Sequence, residues 1–347
     1  MKIAFLVFSP HGDALVEPDW CEYHPLGGSE TAAVRLASAL RNLGQDVTVL
    51  THPSQLVGKT WDVFVSLRIW NVFEAGLSPG FLNYLWCQDD FDQPQVQDLQ
   101  DPVRAQKVYD ACDGVILLSH YQRNQFTKHL HLPLGKVFLT TNGIPRGLFT
   151  ASPEGLSARA PWAFYASTPF RGLELLLDVW PMMVQAVPSA QLHVFSSMKV
   201  YNSPDTEYEK LYTAAKQLPG VNYHGSVGQA RLREVAQRCR VLAYPCIFPE
   251  TSCIVAMEAM AAGCVVVSTA LGALPETAFQ NPLVPLENDW IGIWAAAVVK
   301  ALVDDRSYAP LAQQNLIVSR CYDWRVVATR WLNRFQTDYC AKRQERR

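Results

Sequence analysis

Residues 241–268 read VLAYPCIFPETSCIVAMEAMAAGCVVVS, and the reading of the chain starts from them. Val241 to Pro245 is a short apolar run without polar alternation, as in a strand buried on both faces, and Val265 to Ser268 is a second. Between them, Ser252 to Ala262 is rich in Ala and Met, good helix formers. A strand, a loop, a helix and a strand in this order form a βαβ unit, whose strands must be parallel. The loop carries Pro249 and Glu250 at the carboxyl end of the first strand, which is where open parallel sheets bind ligands.

The alternation continues in both directions. Upstream in the same half, strands are predicted at Trp162–Ala166, Gln191–Phe195 and 221–224, with helices at 172–186, 206–217 and 229–238. Helical periodicity closes the chain over Trp290–Val303 and Trp324–Tyr339. In the first half, strands are predicted at 2–8, Asp46–Leu50, 62–65, 84–87, 114–118 and 136–140, and helices at 31–43 and 121–129. Asn142 to Pro161 interrupts the pattern with three glycines and three prolines and reads as an interdomain linker. The expected class is α/β, with two Rossmann-like, doubly wound domains facing across a cleft.

Composition narrows the function. Of 347 residues 49% are hydrophobic and 18% charged, enough apolar material for two cores. A net charge of -2 gives no overall field for nucleic acid or an anionic membrane, and the basic tail 342–347 offers at most a peripheral membrane contact. No apolar stretch reaches membrane-spanning length. The apolar residues 1–8 read as a first strand rather than a signal peptide. Nine scattered cysteines, with no Cys-x-x-Cys pair, read as reduced core thiols in a cytoplasmic protein. The tryptophans, Trp162, Trp180 and Trp324 among them, read as packing.

Three stretches could carry chemistry. Pro25–Glu30 contains Gly27, Gly28 and Ser29 ahead of a helix expected from Thr31. Paired glycines allow positive φ and close backbone approach, and the helix N-terminus suits phosphate; Ser29 or Thr31 would equally serve as a plain cap. The stretch is neither a Gly-x-Gly-x-x-Gly fingerprint nor a P-loop. In the second stretch, Glu250 lies at the mouth of the cleft. Glu258 follows two turns into the helix, on a face otherwise formed by Val255, Ala259 and Ala262. A carboxylate among these needs partners, and a ribose diol would supply them. The third stretch, Tyr84 to Asp92, contains Asp89, Asp90 and Asp92. The eight histidines show no metal spacing; His11 follows the first strand near the expected cleft.

The segment Tyr223–Glu276 resembles the donor half of family 4 retaining glycosyltransferases of the GT-B fold. The resemblance rests on the Glu250-x7-Glu258 spacing, the Ala259-Met-Ala-Ala-Gly263 run and the valine strand that follows. Gly27-Gly28-Ser29-Glu30, Thr141-Asn142-Gly143-Ile144 and Cys321-Tyr-Asp-Trp324 are similar to further stretches of that family. The resemblance implies an N-terminal acceptor-side domain over 1–145, with a C-terminal helix 323–347 packing back on it. Residues 146–322 would form the donor domain. Glu250 would contact the donor sugar, with Thr251, Ser252 and Cys253 presenting N–H groups to diphosphate and sugar. Glu258 would hold the ribose, and Ser226 and Val227 would lie near the base. Arg171 stands where the family has a lysine before glycine and would neutralise the leaving diphosphate. Asp89 corresponds to the aspartate of a His-Asp pair whose histidine is here Gln88. The family's second cation, five or six residues before the lysine, is absent: the chain has Tyr165 and Ala166 there, so either Arg171 alone or hydroxyls of Ser167 and Thr168 compensate, or activity is reduced or lost.

The expected function is therefore sugar transfer from a nucleoside-diphosphate sugar with retention of configuration, without metal or other cofactor. The acceptor would be a glycan, a lipid-linked glycan or another small molecule, and nucleic acid is a remote option. Trp20–Leu26 and the loop after Asp92 are acceptor-side candidates. Three alternatives stand beside it: a non-catalytic nucleotide-sugar-binding subunit, a metal-dependent transferase using Asp90 and Asp92, and a phosphorylase or epimerase on a similar fold.

Overall fold

The computed structural model describes residues 1–8 and 19–347, which divide into two compact units. The first draws on Met1–Trp20, Gly28–Gly143 and Asp323–Arg347, and the second on Cys21–Gly27 and Ile144–Tyr322.

The sheet of the first unit has six parallel strands, β1 (Lys2–Val7), β2 (Asp46–Leu50), β3 (Trp61–Leu67), β4 (Gly80–Trp86), β5 (Gly114–Leu117) and β6 (Val137–Leu139), in the order β2-β1-β3-β4-β5-β6. β4 begins four residues before the expected start at Tyr84. Asn83 masks that start: its amide donates to the Gly80 carbonyl at 2.8 Å and accepts the Gly80 N–H at 3.0 Å, so a polar residue sits buried inside the strand. The helix Gly28–Asn42 also begins early, taking in Gly28 where a start at Thr31 was expected, so no positive φ is needed there. The helix Pro102–Ala111, not foreseen, is capped by Asp101, whose carboxylate accepts from Val103 and Arg104 N–H.

The last helix, Trp324–Glu345, lies on this first sheet. Trp331 is fully buried among Phe5, Trp86, Phe138 and Phe335, 4.7 Å from the Trp86 ring, and its indole N–H donates to Thr140 Oγ1 at 3.1 Å. Farther along, Asp338 accepts the Tyr84 hydroxyl at 2.5 Å and Tyr339 meets Phe81 at 4.6 Å.

The second unit holds β7 (Trp162–Ala166), β8 (Gln191–Phe195), β9 (Val221–Tyr223), β10 (Val241–Ala243), β11 (Val265–Thr269) and β12 (Leu283–Val284), again all parallel. Read as β9-β8-β7-β10-β11-β12, this is the 3-2-1-4-5-6 order of a Rossmann sheet. β12 has two residues, too few for a periodicity signal. The helix Asp305–Val318 also escaped the pattern, because Pro310 lies inside it. The stretch read as a linker is a packed part of this unit from Ile144 onward. Leu156 and Phe149 enter its core, Ile144 N–H bonds the Tyr322 carbonyl at 2.7 Å, and Arg159 donates to the carbonyls of Ala262 (2.7 Å), Cys239 (2.8 Å) and Gly263 (3.2 Å).

Seven of the nine cysteines are buried, whereas Cys321 and Cys340 are exposed, so the core-thiol expectation fails at these two. Among the described residues no helix is both long and apolar enough to cross a membrane.

Candidate donor site at the switch point of the second sheet

In the 3-2-1-4-5-6 order the chain leaves β7 in one direction and β10 in the other. The crevice at their carboxyl ends is therefore where such a sheet binds ligands. The residues after β7 include Ser167, Thr168 and Arg171, and those after β10 include Tyr244 and Glu250.

Two glycines bring these loops into contact. Gly172 has φ of 109°, and a Cβ on it would lie 2.1 Å from the Pro245 carbonyl oxygen, so only glycine fits the turn after Arg171. Gly272 (φ +61°) packs on Glu250 from the other side, where a Cβ would lie 2.5 Å from the Glu250 carbonyl oxygen. Ala273 N–H donates to that same oxygen at 2.7 Å. Hydroxyls pin the rest of the loop: Thr269 donates to the Cys246 carbonyl at 2.5 Å and Thr277 to the Ser252 carbonyl at 2.7 Å.

The loops carry a buried polar cluster. Arg171 Nη1 pairs with Glu250 Oε1, and the Tyr244 hydroxyl donates to the same oxygen at 2.5 Å. Ser167 Oγ lies 3.3 Å from the Tyr244 hydroxyl. The Arg171 guanidinium stacks 4.2 Å from the centre of the Phe248 ring. Burial opposes the Arg171 charge most strongly, but Glu250 beside it, together with Tyr244 and Tyr201, outweighs burial and keeps the guanidinium protonated. Burial, reinforced by Cys246 and Glu250, pushes the Tyr244 phenol well above its ordinary value, so it remains a proton donor.

Three polar atoms of these loops are buried without a hydrogen-bond partner among the described residues: Arg171 Nε, Thr168 Oγ1 and Ser252 Oγ. Buried polar groups are rarely left so, and these three lie on adjoining loops.

The remaining sequence candidates fall around this cluster or elsewhere. Thr251 and Ser252 are buried, and Cys253, in the left-handed region at φ 57°, is the N-cap of the helix Ile254–Ala261. This residue delays the helix from the expected Ser252 to Ile254. Glu258 is half-buried together with Ile254 and Val255, whereas Ala259 and Ala262 are fully buried. Glu258 and Val255 thus share the more open side of the helix, not a wholly apolar face. Val227 is half-buried in the loop after β9. The next residue, Gly228, touches the 22–23 backbone, with a Cβ coming within 2.4 Å of the Glu22 carbonyl oxygen. Glu22 pairs with Arg233 at 2.6 Å, which ties Cys21–Gly27, Gly27 included, to the second unit. Gly28 and Ser29 belong to the first unit's helix.

Asp89 lies in the first unit in a two-pronged ion pair with Arg68, whose Nε donates to Oδ2 at 2.6 Å and whose Nη2 bonds Oδ1. Gln88 and Asn142 exchange amide hydrogen bonds at 3.0 and 3.1 Å. Asp90 accepts from the Tyr121 hydroxyl at 2.6 Å and from Phe91 N–H at 2.8 Å, while Asp92 is exposed. His11 lies outside the described residues. A surface hollow of about 430 Å³, lined by Thr150, Ser152, Arg159, Trp162 and Arg238, lies at the opposite end of β7 from Arg171.

Sequence reasoning singled out Arg171, Glu250, Ser167 and Thr168 but not Tyr244, which joins Ser167 to Glu250. The signal for it was a hydroxyl-bearing residue at the carboxyl end of an otherwise aliphatic strand.

Residues 163–304, which contain every member of this cluster, match the protein family described as glycosyl transferases group 1. No curated protein matches the chain by sequence. Solved structures resemble it over nearly its full length. Sucrose-phosphate synthase from Thermosynechococcus elongatus has a TM-score of 0.76 at 16% identity, covering 98% of this chain and 100% of that one. HepE from Anabaena, in complex with UDP and glucose, has a TM-score of 0.71 at 16% identity, covering 97% and 100%. The catalytic domain of starch synthase IV from Arabidopsis thaliana, bound to ADP and acarbose, has a TM-score of 0.67 at 12% identity, covering 98% and 99%. The chain has the GT-B fold, and the match to the glycosyl transferases group 1 family lies within its second unit.

Proposed function

We propose that the chain is a glycosyltransferase that takes a sugar from a nucleoside-diphosphate donor bound by its second unit and passes it to an acceptor with retention of configuration. The observation that carries this reading is the Arg171–Glu250–Tyr244–Ser167 cluster with its unpartnered polar atoms, built at the switch point of a Rossmann-ordered sheet. Arg171 neutralises the diphosphate as it leaves, Glu250 receives the sugar hydroxyls, and Thr251, Ser252 and Cys253 present N–H groups at the start of the Ile254–Ala261 helix. Glu258 takes the ribose diol, Val227 borders the base, and Gly27, Gly28 and Ser29 contribute at the phosphates. The leaving phosphate oxygen accepts the acceptor's proton, so the reaction calls for no metal and no separate strong base. Asp89 assists once Arg68 shares it with the donor. The donor class agrees with the UDP, glucose and ADP in the structures of HepE and starch synthase IV.

The test is turnover. The purified chain, in EDTA, is given UDP-, GDP- and ADP-sugars, with nucleoside diphosphate release as the readout and NMR of the product for its anomeric configuration. Release with retention supports the reading; release that needs a divalent ion overturns its metal-free part. A second reading, a binding subunit without turnover, is favoured by the absence of a second cation: Ala166 has none to offer, and the Tyr165 hydroxyl is spent on the Thr168 carbonyl at 2.7 Å. Binding without turnover would select it.

A further inference from the structure

Glu250 Oε1 accepts two bonds at once, from Arg171 and from Tyr244. Arg171 has a second task under the donor-site reading, since its buried Nε lacks a partner and a diphosphate would draw its charge. A carboxylate only 7% exposed that lost its cation would be costly to keep ionised and in place. Tyr244 can take over. It is fully buried, remains protonated, lies next to Ser167, and bonds the same carboxylate oxygen as Arg171.

We propose that Tyr244 is the positioning residue that holds Glu250 toward the donor sugar while Arg171 turns to the diphosphate. This rests on the donor-site reading and adds a division of labour: Arg171 governs affinity for the diphosphate, and the Tyr244–Glu250 pair governs affinity for the sugar. Oε1 is occupied by Tyr244, and Oε2 stays outside that bond as the acceptor for a sugar hydroxyl. The ligand class that feels Tyr244 is thus the glycosylated nucleotide, not the bare one.

The experiment measures dissociation constants of UDP, UDP-glucose, GDP and GDP-mannose for the wild-type chain, Tyr244→Phe, Arg171→Gln, Glu250→Gln and the Tyr244→Phe/Glu250→Gln double variant. The readout is the ratio of sugar-nucleotide to nucleotide affinity, which a merely structural defect would leave unchanged. In Tyr244→Phe the ratio should fall about tenfold, as for a hydrogen bond to a charged group, with nucleotide affinity unchanged within about twofold. In Arg171→Gln the ratio should persist while both affinities fall together. The double variant should be no worse than Glu250→Gln alone. An unchanged ratio in Tyr244→Phe, or one that collapses in Arg171→Gln, overturns this inference alone. Should Tyr244→Phe not fold, the Arg171→Gln ratio still decides. A wild-type chain that binds none of the four ligands, nor ADP or ADP-glucose, overturns the donor-site reading and this inference with it.

Discussion

Substitution Gly172→Ala tests the contact that assembles the site. At φ 109° an L-residue is strained, by about 1–2 kcal/mol. The new Cβ would lie 2.1 Å from the Pro245 carbonyl oxygen, a backbone atom that cannot rotate away. Overpacking of this kind costs about 1–3 kcal/mol more, so the total is roughly 2–5 kcal/mol. For a unit of roughly 150–250 residues each kcal/mol is about 2–4 °C, so the second unit should melt about 4–20 °C lower. The two loops must also part, so donor affinity should fall as Arg171 is displaced from Glu250. The control is Gly147→Ala, in the same unit, where no atom lies within 4 Å of the added Cβ and φ is not positive. It should be neutral or slightly stabilising, by about 0.4–1 kcal/mol. Calorimetry on the three proteins checks this. A Gly172→Ala melt within 1 °C or so of wild type (below the about 2 °C per kcal/mol that even a minimal cost implies) would refute the claim that close packing of these loops builds the site.

Three further outcomes follow from the packing and charge of the two units. Arg159→Ala removes donors from the carbonyls of Cys239, Ala262 and Gly263; the Cys264 thiol and the Tyr308 hydroxyl still reach Cys239 and Gly263, so the loss falls chiefly on Ala262 and should destabilise by about 1–3 kcal/mol in urea titration. His193 stands 3.0 Å from His224, and burial, then His224, Arg231 and Arg238, lower its pKa to about 4. A depressed folded value gives stability that is present above the ordinary pH of about 6.5 and lost as pH falls toward 4, by roughly 2–3 kcal/mol, and His193→Gln should flatten that slope in denaturant midpoints taken across the range. Asp90 is shifted the other way, upward, chiefly by burial, so its contribution is greatest in acid and declines as pH rises through the folded value. Asp90→Asn should therefore cost little at neutral pH, and loss of turnover in this variant would favour the metal-dependent alternative.

The fold was legible because a parallel sheet covered on both faces needs uninterrupted apolar strands, and eleven of the twelve could be located in this way. The exceptions have local causes: two residues in β12, the buried Asn83 in β4 and Pro310 within its helix. Strand order was not legible, since crossover lengths do not reveal on which side of β7 the strand β10 lies. For the site, place in the βαβ unit pointed to Glu250, and the family resemblance pointed to Arg171. Their direct pairing was not foreseen, because it depends on Gly172 fitting against the Pro245 carbonyl, a contact between loops far apart in sequence. Tyr244 was missed because, despite its place at the carboxyl end of the strand, within an apolar run it reads as a core aromatic. The positive φ expected at the paired glycines is not used at Gly28, which the helix absorbs; the positive-φ glycines around the cluster are Gly172 and Gly272.

The most direct test of the donor site is thermal stabilisation of the purified chain by UDP, GDP and ADP in EDTA, beside an Arg171→Ala variant. A ligand at 100 times its dissociation constant should add about 2.7 kcal/mol. The account predicts a shift with one of these nucleotides that survives EDTA and is lost in Arg171→Ala. No shift with any of them, or an equal shift in wild type and variant, would contradict it.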